Sequence, residues 1–194
     1  MFIDIHTHLP QYNVVELDGI IQRWKFNKVK YVVSAGTTID DSIKSINLSK
    51  RYKCILSGIG LHPSDLNSNW KNDLQEIKKL SNNKIVMISE IGLDYQESSP
   101  DKDIQIEVFE YQIQLAIEKK LPIVFHTRNA MDDTYEVLKN FKFNYHPGAI
   151  HYFDGNYEQA KKMIDLGYKI SFAKTLLRYD HLKEVVKKIS IKDI

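Results

Sequence analysis

Cysteine is almost missing from this 194-residue sequence. Cys54 is the only one, so no disulfide framework forms within the chain and a reducing, cytoplasmic setting is expected. Long apolar runs are missing too. None approaches the roughly 20 residues of a membrane span, and the chain starts directly on a strand-like segment carrying Asp4, which argues against a secretory leader. A dominant charge sign is also lacking. With 27 Lys and Arg against 25 Asp and Glu, the net charge is +2; this neither demands nor excludes nucleic acid, since a local basic rim can sit on a balanced chain. Five prolines and eight glycines leave no Pro/Gly-rich linker, and no repeat or low-complexity tract interrupts the chain. One compact domain over 1–194 is expected. No Gly-rich fingerprint follows the first strand, which removes the main cue for a dinucleotide-binding doubly wound fold. Nucleophile elbow, P-loop and zinc-finger spacings are absent as well.

What is present is an alternation. Short apolar runs occur at Met1–His8, Val29–Ala35, Cys54–Leu61, Ile85–Ile91, Pro122–His126, Ala149–Phe153 and Tyr168–Phe172. Their length and Val/Ile/Leu content predict buried parallel strands. Helical patterns lie between them, most clearly at Asp41–Tyr52, Asp101–Lys120, Asn156–Leu166 and Asp180–Ile189. Strand followed by helix, seven times over, predicts a parallel α/β protein. Polar residues gather at the ends of several strands, as in a (β/α)₈ barrel whose site is built at one mouth. The expected fold is therefore a TIM-type α/β barrel, incomplete at about seven strands.

The first strand carries the leading signal, His6-Thr7-His8. Residues two apart on a strand point to one side, so both imidazoles meet one place and suit a divalent transition metal. An isolated pair of this kind reads equally well as a surface or capping pair; the other strand ends shift the balance. Glu90 sits in the apolar run Ile88-Ser89-Glu90-Ile91, where a carboxylate needs a partner or a cation. It can bridge two metals roughly 3.5–4 Å apart, a recurring device in phosphoester hydrolysis; pairing with a core Arg or Lys is the alternative. His126 and His151 end further strands. His62, just past the third strand, is read as contacting substrate. Arg128, two residues after His126, suits a phosphate or a surface salt bridge. His146 and His181 are expected in solvent.

Together these residues resemble the TatD family of metal-dependent deoxyribonucleases, among the amidohydrolase-like metallo-barrels. The matching stretches are Phe2 to His8, Gly58 to Pro63, Glu90 to Tyr95, Pro122 to Ala130 and Gly148 to Gly155. The resemblance implies two divalent ions (Mg, Mn or Zn). His6 and His8 would hold one, and Glu90 would bridge to a second held by His126 and His151, with His62 and Arg128 at the substrate end. It further implies hydrolysis of DNA phosphodiesters by metal-activated water, with Glu90 as the catalytic carboxylate, releasing nucleotides from DNA ends. The family's further aspartate on the last strand has no counterpart up to Ile194. Reduced nuclease activity and self-association through an exposed sheet edge are therefore expected. Two other readings stay open: an inactive metal- or nucleic-acid-binding remnant, and a hydrolase of a small ester, lactone or amide.

Overall fold

The computed structural model describes residues 1–194. Strands β1 (Phe2–Thr7), β2 (Val29–Ser34), β3 (Ile55–Ile59), β4 (Ile85–Asp94), β5 (Ile123–Arg128), β6 (Gly148–Ile150) and β7 (Lys169–Ile170) pair in sequence order, every neighbour parallel. The result is a curled half-barrel of seven strands with helices outside, matching the incomplete TIM-type barrel expected from the alternation.

The connecting helices are α1 (Val14–Phe26), α2 (Ile39–Arg51), α3 (Trp70–Lys79), α4 (Lys102–Lys119), α5 (Met131–Leu138) and α6 (Tyr157–Asp165). A short α7 (Thr175–Arg178) and then α8 (Asp180–Lys188) follow β7. Their starts are set by local chemistry. Asn13 with Glu16 and Asn156 with Gln159 form reciprocal capping boxes at α1 and α6, and the Asp101 carboxylate accepts the backbone N–H groups of Asp103 and Ile104 at α4. Periodicity does not single out helices α1, α3 and α5. Only Leu17 and Ile21 are buried on α1, which leaves too thin an apolar stripe to read. No helix is long and apolar enough to cross a membrane.

The main core lies between the sheet and the outer helices. It joins Ile88, Ile91 and Leu93 of β4 to Phe109 and Ile113 of α4, and continues to Leu182 and Val185 of α8. The inner face of the sheet carries only a small cluster of Val33, Met87 and Val124. This distribution corrects one expectation. The first strand reads as buried, yet Phe2 is 65% and Ile3 56% exposed. It pairs on one side only, with β2. Ile3 and Ile5 face an apolar cleft of about 630 Å³ shared with Met87, Val124 and Ile170. A strand can be apolar and parallel and still face solvent when nothing packs on its inner side.

One glycine brings the site strands together. Gly92 has φ +131° and sits opposite His126 in the β4–β5 register. A Cβ there would lie 2.0 Å from the His126 carbonyl oxygen. Only glycine fits both the backbone angle and the approach.

Candidate metal centre

Glu90 is the hub. It points from the middle of β4 with 5% of its side chain exposed. Oε2 lies 3.2 Å from His6 Nε2 and 3.4 Å from His8 Nε2. Oε1 lies 3.6 Å from His126 Nδ1 and 3.8 Å from His62 Nε2. Thus each oxygen of one buried carboxylate faces two imidazoles. His6 and His8 themselves approach to 3.2 Å between Nε2 atoms. Thr7 turns the other way, its hydroxyl donating to the Val33 carbonyl. That is the strand alternation that the His-x-His spacing predicts.

The ionisation of these groups follows from their crowding. Burial works to raise the Glu90 pKa, but the hydrogen bonds of His6 and His8, with the charge of His6 and His62, outweigh it and hold the carboxyl far below the usual carboxylate range. The Glu90 bond raises the His8 pKa against the opposing effect of burial. Burial lowers the pKa of His62, partly offset by Glu90. Burial, with His6 adding to it, pushes His151 down to about 3. Converging imidazole nitrogens and carboxylate oxygens repel one another unless protons or a cation lie between them. A set of imidazoles around one ionised carboxylate is one that suits divalent zinc or manganese.

The two candidate ligand groups are His6, Glu90 and His151, and His62, Glu90 and His126, each with ligand atoms within 4.8 Å of one another. The resemblance pairs His151 with His126; the side-chain geometry instead stacks the His151 ring on His6, with centroids 3.8 Å apart. His62, expected toward substrate, tilts against His126 with centroids 4.7 Å apart. Arg128 is half-exposed, with its guanidinium 3.7 Å from Asp94. His8, His62, Glu90, His126, Arg128 and His151 all line one cleft of about 520 Å³. His146 and His181 are exposed and do not line it.

Three further residues belong to this region. Asp94 is fully buried, and its Oδ2 lies 2.9 Å from His126 Nε2. Burial works to raise its pKa, but His126 and the other donors around it hold it below the usual value. The signal was available, since Asp94 follows Glu90 by four on one strand and so shares its face. Ser64 donates to Asp94 from the turn after β3, and nothing in the sequence marks it. Arg178 of α7 lines the cleft as a second cation; a four-residue helix gives no periodic cue.

Comparison with known proteins follows the same lines. Residues 3–194 match the family model described as TatD related DNase. The chain is 37% identical over 194 residues to the uncharacterized metal-dependent hydrolase YabD of Bacillus subtilis, an alignment spanning 97% of this chain and 76% of that one. It is 28% identical to the deoxyribonuclease Tat-D of Schizosaccharomyces pombe, over 91% of this chain and 61% of that protein. The crystal structure of YjjV, a TatD homolog from Escherichia coli K12, superposes with a TM-score of 0.87 at 26% identity, over 99% of this chain and 76% of that one.

Proposed function

The chain belongs to the TatD-related DNase family of metal-dependent hydrolases, and from that premise we propose that it hydrolyses DNA phosphodiesters with two divalent ions that Glu90 and the histidines around it would hold. The observation that carries this reading is the division of the Glu90 carboxylate. Oε2 faces His6 and His8, and Oε1 faces His126 and His62. Divalent ions in such a site lower the pKa of water toward neutrality and neutralise phosphoryl charge. His6, His8, His126 and His151 are the histidines that would hold them with Glu90, in Mg²⁺, Mn²⁺ or Zn²⁺ form.

The chain's own residues account for the rest. Arg128 and Arg178 give the cleft two guanidinium groups suited to phosphate oxygens. His62 lies where a substrate oxygen would approach Glu90. The buried flank formed by β4 and β5 fixes the carboxylate in place, and the hydrogen bonds of His6 and His8 keep it ionised. The S. pombe relative's printed name supports DNA as the substrate. We place all of this in one metallo-hydrolase domain working in the cytoplasm.

Nucleotide release from a single-stranded DNA oligomer, with Mn²⁺ or Mg²⁺, tests the reading directly. The expected result is release that a chelator stops and that His126→Ala loses. No release with either metal, together with metal-dependent cleavage of a neutral ester or lactone, overturns it.

Self-association belongs to the same reading. β1 pairs only with β2, and β7 only with β6, so both outer strands offer free backbone groups beside an apolar cleft. Sedimentation at rising concentration is expected to show dimers or larger species; a monomer throughout would remove this part.

A further inference from the structure

We propose that Asp94 and Ser64 are positioning residues that make His126 and His62 chemically different toward Glu90, His126 a metal ligand through Nδ1 and His62 a hydrogen-bond donor to a substrate oxygen through Nε2–H. The inference deepens the metal-dependent reading above and rests on it.

Both rings address the same atom, Glu90 Oε1, from similar distances but by opposite edges. His126 presents Nδ1 at 3.6 Å and His62 presents Nε2 at 3.8 Å. A neutral imidazole carries one N–H, and the partner of its outer nitrogen decides which nitrogen holds it.

For His126 the outer nitrogen is Nε2, 2.9 Å from Asp94 Oδ2. The other neighbours of Asp94 donate to it. Ser64 Oγ donates to Oδ2 at 3.1 Å, and the Gln96 backbone N–H and Ser99 Oγ donate to Oδ1 at 3.1 and 3.2 Å. A carboxylate held this way only accepts, so His126 Nε2 donates. Nδ1 is left as a bare lone pair facing Glu90. A carboxylate behind a histidine is the recurrent arrangement for orienting a metal ligand.

For His62 the outer nitrogen is Nδ1, and it accepts the Ser64 backbone N–H at 3.2 Å. A peptide N–H only donates, so Nδ1 must keep its lone pair and the proton resides on Nε2. An Nε2–H cannot ligate a cation. It can donate to an oxygen in the cleft that Arg128 also lines. The two rings therefore share one tautomer and show Glu90 opposite faces of it. Ser64 serves both, its N–H on His62 and its Oγ on Asp94, from the tight turn Pro63–Asp65 that ends the β3 side of the site.

The test uses the whole chain, in two steps. Long-range ¹H–¹⁵N spectra of the metal-free protein are expected to show Nε2–H tautomers for both His62 and His126, with Asp94→Ala redistributing His126 alone. Calorimetric titration with Mn²⁺ is then expected to lose affinity on the order of 10–100-fold in Asp94→Ala, and less in Asp94→Asn, which keeps an acceptor and the side-chain shape. His62→Ala is expected to keep the wild-type Mn²⁺ affinity and stoichiometry while losing DNA turnover. Circular dichroism in chelator separates these effects from misfolding, with Asp94→Asn as the conservative reference. A His126 Nδ1–H tautomer, wild-type Mn²⁺ affinity in both folded Asp94 variants, or loss of bound Mn²⁺ in His62→Ala overturns the inference. Absence of Mn²⁺ uptake by the wild type would instead bring down the two-metal reading, and this inference with it.

Discussion

The two flanks of Glu90 are built differently. On the β4–β5 flank the strands are buried, Gly92 lets them close on each other, and His126 is braced from behind by Asp94. On the β1 flank His6 Nδ1 is buried with no hydrogen-bond partner, the His8 side chain is 43% exposed, and the strand beneath is largely open to solvent. One flank is organised by its own protein contacts. The other presents the right ligand types with little behind them. The contrast teaches that ligand identity and ligand rigidity come from separate sources: residue spacing along a strand supplies the first, and packing between elements supplies the second.

The largest expected effect tests what the flanks share. Glu90→Gln keeps the size of the side chain and removes the charge that both sides use. It should cost several kcal/mol of transition-state stabilisation, about 10³-fold in kcat/KM on a DNA oligomer. A loss below about tenfold would mean that the flanks act independently of the carboxylate.

Stability should separate the flanks next. Ile91, buried on β4, and Ile3, exposed on β1, are the same residue type on two strands of one sheet. Ile91→Ala should cost about 2–5 kcal/mol in denaturant unfolding, and Ile3→Ala within about 0.5 kcal/mol at concentrations where the chain is monomeric. Equal costs would show that β1 is covered in solution, as by a second copy of the chain.

Metal affinity sharpens the comparison further. The braced flank should lose more on truncation, since its ligand is held in place before the ion arrives. His126→Ala is therefore expected to weaken Mn²⁺ binding by about tenfold more than His8→Ala in calorimetric titration. The reverse order would assign the tighter site to β1.

Acidification gives a signal spread gradually over several pH units. The His151 pKa falls from 6.5 to about 3, through burial first and then through His6. Between those values the unfolded chain takes up a proton that the folded chain refuses, so this contribution to stability is complete above pH 6.5 and is lost as pH falls toward 3. The raised pKa of His8 acts on the other side of 6.5 and does not offset it. Urea unfolding in chelator should show up to about 1.4 kcal/mol lost per pH unit below neutrality, flattened in His151→Asn. An unchanged slope in that variant would place the proton uptake elsewhere.

Much of this was legible in the residues themselves. The strand and helix order followed from periodicity, and the gathering of His6, His8, His126 and His151 followed from their place at strand ends. Helices α1, α3 and α5 were not, because their buried stripes are short and α1 buries only two apolar residues. Asp94 was half-legible: its spacing from Glu90 put it on the right face, while its bond to His126 belongs to the β4–β5 register. Ser64 and Arg178 carried no local signal, since each acts from a turn or a single helical turn brought near by the chain's path.

The sequence by itself determined which residues face the mouth of the sheet, because side-chain alternation along a strand is a local property of the backbone. It likewise determined the order of the elements and the chemical types of the candidate ligands. Only the tertiary structure decided which imidazole edge meets which oxygen of Glu90, that the His151 ring stacks on His6, and that β1 is exposed rather than buried. Those outcomes depend on strand register, on how closely β4 and β5 approach, and on what packs over each face. They are sums of contacts between residues far apart in the chain, and no local pattern encodes them.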